Sequence, residues 1–226
     1  MRRIPTVRDD HLLIIFAKSP EAPNVKTRLA TVLTRKERGQ LQEAFILDTL
    51  SLSASLQVKR AMACTPDIVS PFFNRYKDKE ELLLVKQKGR SFSERMKNVF
   101  QWGFSLGFKK VVLIGSDSPT LPTAFIQEAF DHLNTAPVVL GPATDGGYYL
   151  IGATPPLPQN LFHRIKWGTQ TVLIETMKRL RYFHLLPFWY DLDRPVDLEF
   201  LKEHSHILRR NHAPFPKETW KTLKRK

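Results

Sequence analysis

The chain has 226 residues, 42% of them hydrophobic and 25% charged, which is the composition of an ordinary soluble globular protein with ample material for a core. Its length fits one α/β domain, and no internal repeat, coiled coil or low-complexity block is visible in the sequence. The net charge of +13 and the pI of about 10.0 predict an anionic partner such as nucleotide phosphate, nucleic acid or a membrane surface.

Cysteine usage and hydropathy restrict the cellular setting. The single cysteine, Cys64, excludes an intrachain disulfide and a cysteine-based metal cluster. The apolar run at 12–17 is too short to span a membrane. Asp9 and Asp10 before it and Lys18 after it do not fit a signal peptide. We therefore expect a cytoplasmic protein without a transmembrane segment.

The first strand and the segment after it predict a phosphate site. Residues 12–16 (LLIIF) form a continuous apolar run typical of a buried strand, and two prolines keep the start of segment 17–30 from being helical. Lys18, Lys26 and Arg28 lie in this segment. A strand-to-helix loop favours phosphate because unpaired helix N–H groups and basic side chains converge there. The alternative is a basic surface loop, and the glycine pattern of a P-loop is absent.

Strand and helix patterns then alternate along the chain. Further strands are predicted at 57–64, 81–86, 110–114, 136–140, 148–151 and 183–187. Capping boxes at 34–37 and 91–94 start two helices, and the other predicted helices are 67–76, 122–133, 160–165, 169–182, 196–204 and, more weakly signalled, 217–224. This order predicts the α/β class, with a three-layer sandwich around a mixed, mainly parallel sheet.

The positive charge is concentrated towards the C-terminal end. Residues 202–226 contain eight Lys or Arg against two Glu. Such a run predicts a solvated basic extension, and the alternative is an arm that binds nucleic acid. We therefore divide the chain into a single α/β domain at 1–204 and a basic C-terminal extension at 205–226.

The stretch 111–121 (VVLIGSDSPTL) carries the clearest site signal. An apolar run leads to a small-residue corner that contains Ser116 and delivers Asp117. A carboxylate at the carboxyl end of a buried parallel strand lies where open α/β sheets bind ligands. The alternative is that Asp117 only caps a turn or the next helix.

Two later carboxylate motifs offer further candidate residues. Asp145 precedes Gly146 and Gly147, whose small size allows a ligand to approach the main chain, although Asp-Gly is also a favoured hairpin turn. The strand that follows should be antiparallel to its neighbour because the connection is short. Asp191 and Asp193 follow the last predicted strand and either bind a hard cation through oxygen or cap the next helix.

Four stretches resemble one known family when they are taken together and in order. They are FAKSPEAPNVKTRLA at 16–30, QKGRSFSERM at 87–96, VVLIGSDSPTL at 111–121 and VVLGPATDGGYYLIG at 138–152, and WGT at 167–169 and DLDRPVD at 191–197 continue the likeness. The family comprises bacterial glycosyltransferase-A-like transferases, often labelled radical-SAM/selenodomain-associated transferases. It is distantly similar to guanylyltransferases of molybdenum-cofactor and deazaflavin-cofactor synthesis.

The resemblance implies a nucleotide-diphospho-sugar transferase fold, a nucleotide across the first loop, and a bound Mg²⁺ or Mn²⁺. Transferred by position, the residues that face the nucleotide or its phosphates are Lys18, Lys26, Arg28 and Ser116. The metal is assigned to Asp117 and Asp193. The acceptor side is assigned to Asp145, Gly146, Gly147, Tyr148 and Trp167. Catalysis is assigned to Asp117, Lys26 and Asp145, the last steering or deprotonating an acceptor hydroxyl.

The first loop departs from the family pattern. The family usually has Arg and Gly where this chain has Glu21, Pro23 and Asn24, and Ser93 replaces a usual glycine. Pro23 lacks an N–H that could wrap a phosphate, and Glu21 adds negative charge. We expect either weaker nucleotide binding or a loop shaped for a different donor.

These observations predict a metal-dependent transferase that uses a nucleotide-activated donor, with a nucleotide sugar as the first choice. One alternative is a nucleotidyltransferase that consumes an NTP and releases pyrophosphate. A second alternative is a basic nucleic-acid-binding protein without enzymatic activity. The aromatic residues argue against the second alternative because most of them fall at core spacing within helices and strands.

Overall fold

The computed structural model describes residues 8–210 and 215–224 and contains one seven-stranded sheet. The strands are β1 Arg8–Lys18, β2 Val58–Thr65, β3 Leu83–Lys86, β4 Lys110–Gly115, β5 Val138–Pro142, β6 Tyr148–Ala153 and β7 His184–Leu185. Their order across the sheet is β3-β2-β1-β4-β6-β5-β7. Every pairing is parallel except the two made by β6, which confirms the predicted mixed, mainly parallel sheet.

Seven α-helices surround the sheet in the described ranges. They are α1 Arg35–Ser53, α2 Pro71–Lys77, α3 Phe92–Ser105, α4 Thr123–His132, α5 Val172–Met177, α6 Pro195–Arg210 and α7 Lys217–Lys224, and a 3-10 turn covers Thr27–Leu29. None of the helices in this part of the chain is long and apolar enough to cross a bilayer.

Alternation along the central strand creates the three layers. Leu13 and Ile15 pack with residues of α1, α2 and α4, whereas Leu12 and Ile14 pack with α3 and the 161–162 segment. Successive side chains of a strand point to opposite faces, so a fully apolar run such as β1 must be covered on both sides. The predicted three-layer sandwich is therefore confirmed.

Both predicted capping sites begin a helix, although only the first forms a complete box. The Thr34 hydroxyl accepts from the Glu37 N–H, and the Glu37 carboxylate accepts in return from the Thr34 N–H. At α3 the Ser91 hydroxyl accepts from the Glu94 N–H, but the Glu94 carboxylate accepts from the N–H of Arg90 instead.

The predicted helix at 160–165 is absent, and the helix predicted at 169–182 is wrong in extent. Residues 160–165 form turns, and Arg164 has a left-handed backbone with φ of 52° that ends any helical run. The second helix shortens to α5. The Thr169 hydroxyl donates to the Lys166 carbonyl and lies 2.9 Å from the Thr171 hydroxyl, and such local side-chain bonds compete with helix formation.

The strand directions bring distant residues to one edge of the sheet. β1 and β4 are parallel neighbours with Phe16 opposite Gly115, so both strands end at this edge. β6 is antiparallel to β4, and therefore begins where β4 ends. The Leu192 N–H donates to the Asp117 carbonyl at 2.9 Å, which brings the segment after β7 to the same place.

The C-terminal helices pack on the rest of the domain. α6 runs through the predicted boundary at 204/205, and the weakly predicted helix at 217–224 is present as α7. The buried carboxylate of Asp48 on α1 accepts from the backbone N–H groups of Glu218 at 3.0 Å and Thr219 at 2.8 Å. Residues 211–214, Arg225 and Lys226 of the predicted extension lie outside the described residues.

We expect Asp48→Ala to lower the free energy of unfolding by about 1–2 kcal/mol, because two N–H groups at the start of α7 lose their acceptor. Urea unfolding and amide hydrogen exchange at 218–219 measure the effect. Lys36→Ala, an exposed change on the same helix, should stay within about 0.5 kcal/mol of wild type. Equal stability of the two variants would contradict the capping role.

Candidate functional site

The carboxyl edge of the sheet contains a cavity of about 480 Å³. Its lining includes ten of the residues predicted for the site: Lys18, Lys26, Arg28, Ser116, Asp117, Asp145, Gly147, Tyr148, Trp167 and Asp193. Gly146 does not line it. A Cβ at Gly146 would lie 2.2 Å from the Gln170 carbonyl oxygen, so the absence of a side chain lets two backbone segments pack together.

Lys26 occupies the centre of the polar part of this cavity. Its Nζ lies 3.0 Å from Asp117 Oδ1 and 3.2 Å from Asp193 Oδ1, and it donates to the Leu192 carbonyl at 2.8 Å. An ammonium has three N–H donors, so these three acceptors use all of them. The Lys26 side chain is 4% exposed, and its Nζ also lies 4.9 Å from the centre of the Phe45 ring.

The backbone of Lys26 has a strained, left-handed conformation. Its φ and ψ of 44° and 46° are left-handed, a conformation that costs a residue with a side chain of order 1 kcal/mol or more. Burial by itself would lower the pKa of the Lys26 ammonium, but Asp117 and Asp193 outweigh burial and raise it. The ammonium is therefore charged throughout the physiological range, and the surrounding carboxylates hold the strained turn.

Asp193 belongs to the same ionic cluster. Burial favours its neutral form, but Lys26 and then Arg28 favour the carboxylate, so the pKa of Asp193 is lowered. Arg28 Nη1 lies 3.1 Å from Asp193 Oδ2. Asp193 is 33% exposed and Arg28 46% exposed, so this second ion pair faces solvent and contributes little to stability.

Ser116 and Gln42 orient the Asp117 carboxylate. Gln42 Nε2 donates to Ser116 Oγ at 3.1 Å, and Ser116 Oγ donates to Asp117 Oδ1 at 3.3 Å. Ser116 is buried beneath a carboxylate that remains 40% exposed to the cavity. Within the protein, Ser116 therefore positions the Asp117 carboxylate.

Asp191 is a half-buried carboxyl for which the sequence offered two roles, as a ligand of a hard cation or as a helix cap. The Ser118 hydroxyl lies 2.5 Å from Asp191 Oδ1 and 3.0 Å from the Tyr190 carbonyl. Burial raises the pKa of Asp191 to about 7, the Ser118 bond opposes that rise, and the charges of Asp117, Asp145 and Asp193 add to it. One hydroxyl proton cannot serve both acceptors fully, whereas a protonated Asp191 would donate to Ser118 and leave the Ser118 proton for Tyr190.

The departures in the first loop differ in their relation to the cavity. The Glu21 carboxylate accepts from the Ser70 hydroxyl at 2.8 Å, and Glu21 does not line the cavity. Asn24 does line it, and the Asn24 carbonyl accepts from Lys18 Nζ at 3.3 Å. The Glu21 carboxylate therefore lies outside the cavity, where it is bound by Ser70 at the start of α2.

The predicted acceptor side is aromatic. The Phe92 ring lies 5.6 Å from Phe16 and 4.6 Å from Trp167, and Tyr148 lies 6.0 Å from Trp167, all measured between ring centres in edge-to-face contacts. Trp167 Nε1 donates to Ser93 Oγ at 2.8 Å, which joins the 166–169 segment to α3. Asp145 is exposed at the rim, where its Oδ1 accepts the Gly147 N–H as in an Asx turn.

The sequence motifs assign no role to three residues that line the cavity: Gln42, Gln87 and Arg95. Gln87 donates to the carbonyls of Ala17 and Ala63 and ties β1 to β2. Gln87 and Arg95 both belong to the QKGRSFSERM stretch, so the motif located them. The sequence contains no signal for Gln42, which lies on a helix face otherwise devoted to the core.

The carboxylates present fit a hard divalent cation only in part. Asp117 and Asp193 offer the oxygen ligands that Mg²⁺ and Mn²⁺ prefer. In the described ranges no three His, Cys, Asp or Glu side chains are grouped so that they could hold a metal by themselves. A cation between Asp117 and Asp193 would therefore need oxygens from substrate and water, and it would compete with Lys26.

Lys26→Met should lower the free energy of unfolding by about 3 kcal/mol at neutral pH, because two carboxylates would lose their shared ammonium. The pKa of Asp193 is lowered in the fold, so its part of this contribution is present above the unfolded pKa and disappears as pH falls through the folded value. Chemical unfolding across this pH range measures the loss. Arg28→Met, which removes the solvent-facing partner, should cost at most about 1 kcal/mol, and equal costs would contradict the central role of Lys26.

Asp191→Asn should stabilise the protein at pH 8 relative to wild type and have a smaller benefit at pH 5. The folded pKa of about 7 lies above the unfolded value, so wild-type stability falls as pH rises between the two and stays lower above pH 7. Thermal melting in metal-free buffer at both pH values checks the difference. A benefit that is independent of pH would show that Asp191 does not titrate in this range.

Known proteins share both the family and the fold. The family profile described as "Uncharacterized protein conserved in bacteria (DUF2064)" matches residues 48–169, and no curated protein matches the chain. The crystal structure of a "putative nucleotide-diphospho-sugar transferase" from Desulfovibrio desulfuricans G20 is 30% identical with a TM-score of 0.80, and the match covers 96% of this chain and 95% of that one.

More distant structures share the fold alone. A cytidylyltransferase from Leptospira borgpetersenii is 12% identical with a TM-score of 0.55, over 92% of this chain and 97% of that one. The 4-diphosphocytidyl-2C-methyl-D-erythritol synthase of Anaerococcus prevotii is 12% identical with a TM-score of 0.54, over 85% and 96%. The family profile and the Desulfovibrio structure confirm the resemblance seen in the sequence motifs, and the chain belongs to the DUF2064 family of bacterial proteins.

Proposed function

We propose that this protein is a metal-dependent transferase that uses a nucleotide-activated donor, with a nucleotide sugar as the first choice. The observation that carries the proposal is the convergence of Asp117 and Asp193 on one cavity that also contains Lys18 and Arg28. Carboxylates and cations at the carboxyl edge of an α/β sheet suit a substrate that brings both phosphate and a divalent ion. The name carried by the 30% identical Desulfovibrio protein supports the same class of donor.

Asp117 and Asp193 would hold the Mg²⁺ or Mn²⁺, with phosphate oxygens and water completing its coordination. When bound, the cation supplies electrostatic stabilisation to the phosphate that leaves. Asp145 adds negative potential at this end of the cavity, where its charge also raises the pKa of Asp191. That potential favours a divalent cation over a second ammonium or guanidinium group.

The protein's own side chains would divide the remaining work. Lys26 contacts Asp117, Asp193 and the Leu192 carbonyl with its three N–H donors, so direct contact with phosphate requires that one of these acceptors moves away. Arg28 is half exposed and can donate to a phosphate while it holds Asp193. Ser116 donates a hydrogen bond to Asp117 Oδ1 and so orients the carboxylate.

The acceptor would enter past the aromatic part of the cavity. Tyr148 and Trp167 offer flat apolar surfaces to it, and Gly147 leaves the backbone open. Asp145 is the exposed carboxylate on this side and would bind or deprotonate the acceptor hydroxyl. Its hydrogen bond from the Gly147 N–H holds one carboxylate oxygen and leaves the other available.

We expect Asp117→Asn to reduce Mn²⁺-dependent binding of nucleoside diphosphates and nucleotide sugars at least tenfold while the fold stays intact, because one metal ligand loses its charge. Thermal shift and calorimetric titration with a nucleotide panel, with and without Mn²⁺, measure binding. Asp78→Asn makes the same charge change at an exposed position of α2's end and serves as the matched control.

Two results would contradict the proposal. One is equal Mn²⁺-dependent binding by wild type and Asp117→Asn, and the other is the absence of binding by wild type to every nucleotide tested. The products then distinguish the chemistry. Release of a nucleoside diphosphate supports glycosyl transfer, whereas release of pyrophosphate from an NTP would replace it with nucleotidyl transfer.

A further inference from the structure

The cavity has a positively charged region that is distinct from the carboxylate cluster. Lys18 ends β1, Arg95 lies in the first turn of α3, and both line the cavity. The first turn of a helix is the unfavourable end of the macrodipole for a cation. An arginine at this position, together with a lysine in the same cavity, produces a positive electrostatic potential that favours a bound anion.

Arg95 has no acidic partner among the residues that the structure describes. Its Nε is buried and makes no hydrogen bond within residues 8–210 and 215–224. Its guanidinium carbon lies 5.4 Å from the centre of the Phe92 ring. The adjacent carboxylate, Glu94, accepts instead from the Arg90 N–H at 2.6 Å. A buried donor without a partner is costly, so a group that supplies the missing acceptor would bind favourably.

Lys18 is also left without a full set of partners. Its Nζ donates to the Asn24 carbonyl at 3.3 Å, a long bond to a neutral group. Burial lowers the pKa of Lys18, Asp117 opposes this effect, and the positive charge of Arg95 adds to it. Lys18 therefore interacts electrostatically with both Asp117 and Arg95, and all three residues line the same cavity.

We propose that Lys18 and Arg95 form an anion subsite that binds a phosphate group of the nucleotide donor. The inference rests on the proposed function for the identity of the donor. A phosphate here would accept from the guanidinium and the ammonium while another of its oxygens faces the cation side at Asp117. The three donors of Lys26 are already used within the protein, so Arg95 rather than Lys26 would donate to this phosphate.

Titration of inorganic pyrophosphate into the full chain tests the subsite directly. We expect Arg95→Gln and Lys18→Gln each to weaken pyrophosphate binding about tenfold or more, because each removes a charge-assisted donor. Arg95→Lys should retain part of the affinity, since it keeps the charge but loses the planar fork. Lys97→Gln makes the same charge change at an exposed position of α3 and should bind within about twofold of wild type.

The outcomes separate this subsite from the proposed function. If Arg95→Gln binds pyrophosphate as tightly as Lys97→Gln, or if wild type does not bind it, the subsite is overturned. If Arg95→Gln does not fold, the comparison of Lys18→Gln and Arg95→Lys with Lys97→Gln decides in the same way. If the Arg95 substitutions weaken pyrophosphate binding but the wild-type protein binds no nucleotide, the subsite is supported and the proposed donor class is contradicted. Nucleotide turnover with an unchanged KM in Arg95→Gln would contradict the subsite and leave the function standing.

Discussion

The ammonium of Lys26 is the interaction on which the site depends. It joins the first loop to the end of β4 through Asp117 and to the segment after β7 through Asp193 and Leu192. These groups lie up to 167 residues apart in the chain. Because the ammonium is buried and has three acceptors for three N–H bonds, it can be removed only by leaving carboxylates unpaired. The left-handed backbone at Lys26 persists because these contacts outweigh its cost.

This constraint separates the charges of the cavity. Lys26 and Arg28 compensate Asp117 and Asp193, while the carboxylate of Asp145 leaves the same end with surplus negative charge. Among the residues that the structure describes, neither Lys18 nor Arg95 forms an ion pair with a carboxylate. A cavity with one end suited to a cation and another suited to an anion matches a metal–phosphate ligand better than either ion alone.

The first loop shows how a departure from a family pattern can be accommodated. Glu21 would oppose phosphate if its carboxylate pointed into the cavity. Hydrogen bonds from Ser70 and Ser19 hold it outside instead. The carbonyl of Asn24 then accepts from Lys18, so the backbone of the departing segment supports a cation of the site. The loop has changed its residues but still presents positive charge to the cavity.

Local features of the sequence predict the layered fold and the edge where the site lies. Continuous apolar runs such as residues 12–16 and 111–114 require cover on both faces, and small residues after them mark where strands end. Capping signals at Thr34 and Ser91 are local, so they also predict where two helices begin. These features depend on neighbours within a few residues, which is why they were accessible without the structure.

Which charges meet depends on contacts between segments far apart in the chain. Such contacts create the pairing of Lys26 with Asp193, the raised pKa of Asp191 and the Nε of Arg95 that has no partner among the described residues. The sequence predicts that Gly146 lets a ligand approach the main chain, whereas in the structure its lack of a side chain allows close packing against Gln170. The predicted helix at 169–182 became shorter because hydroxyl bonds near Thr169 competed with it. Residue type set the chemistry that was available, whereas burial and long-range geometry set the charge state and partners of each group.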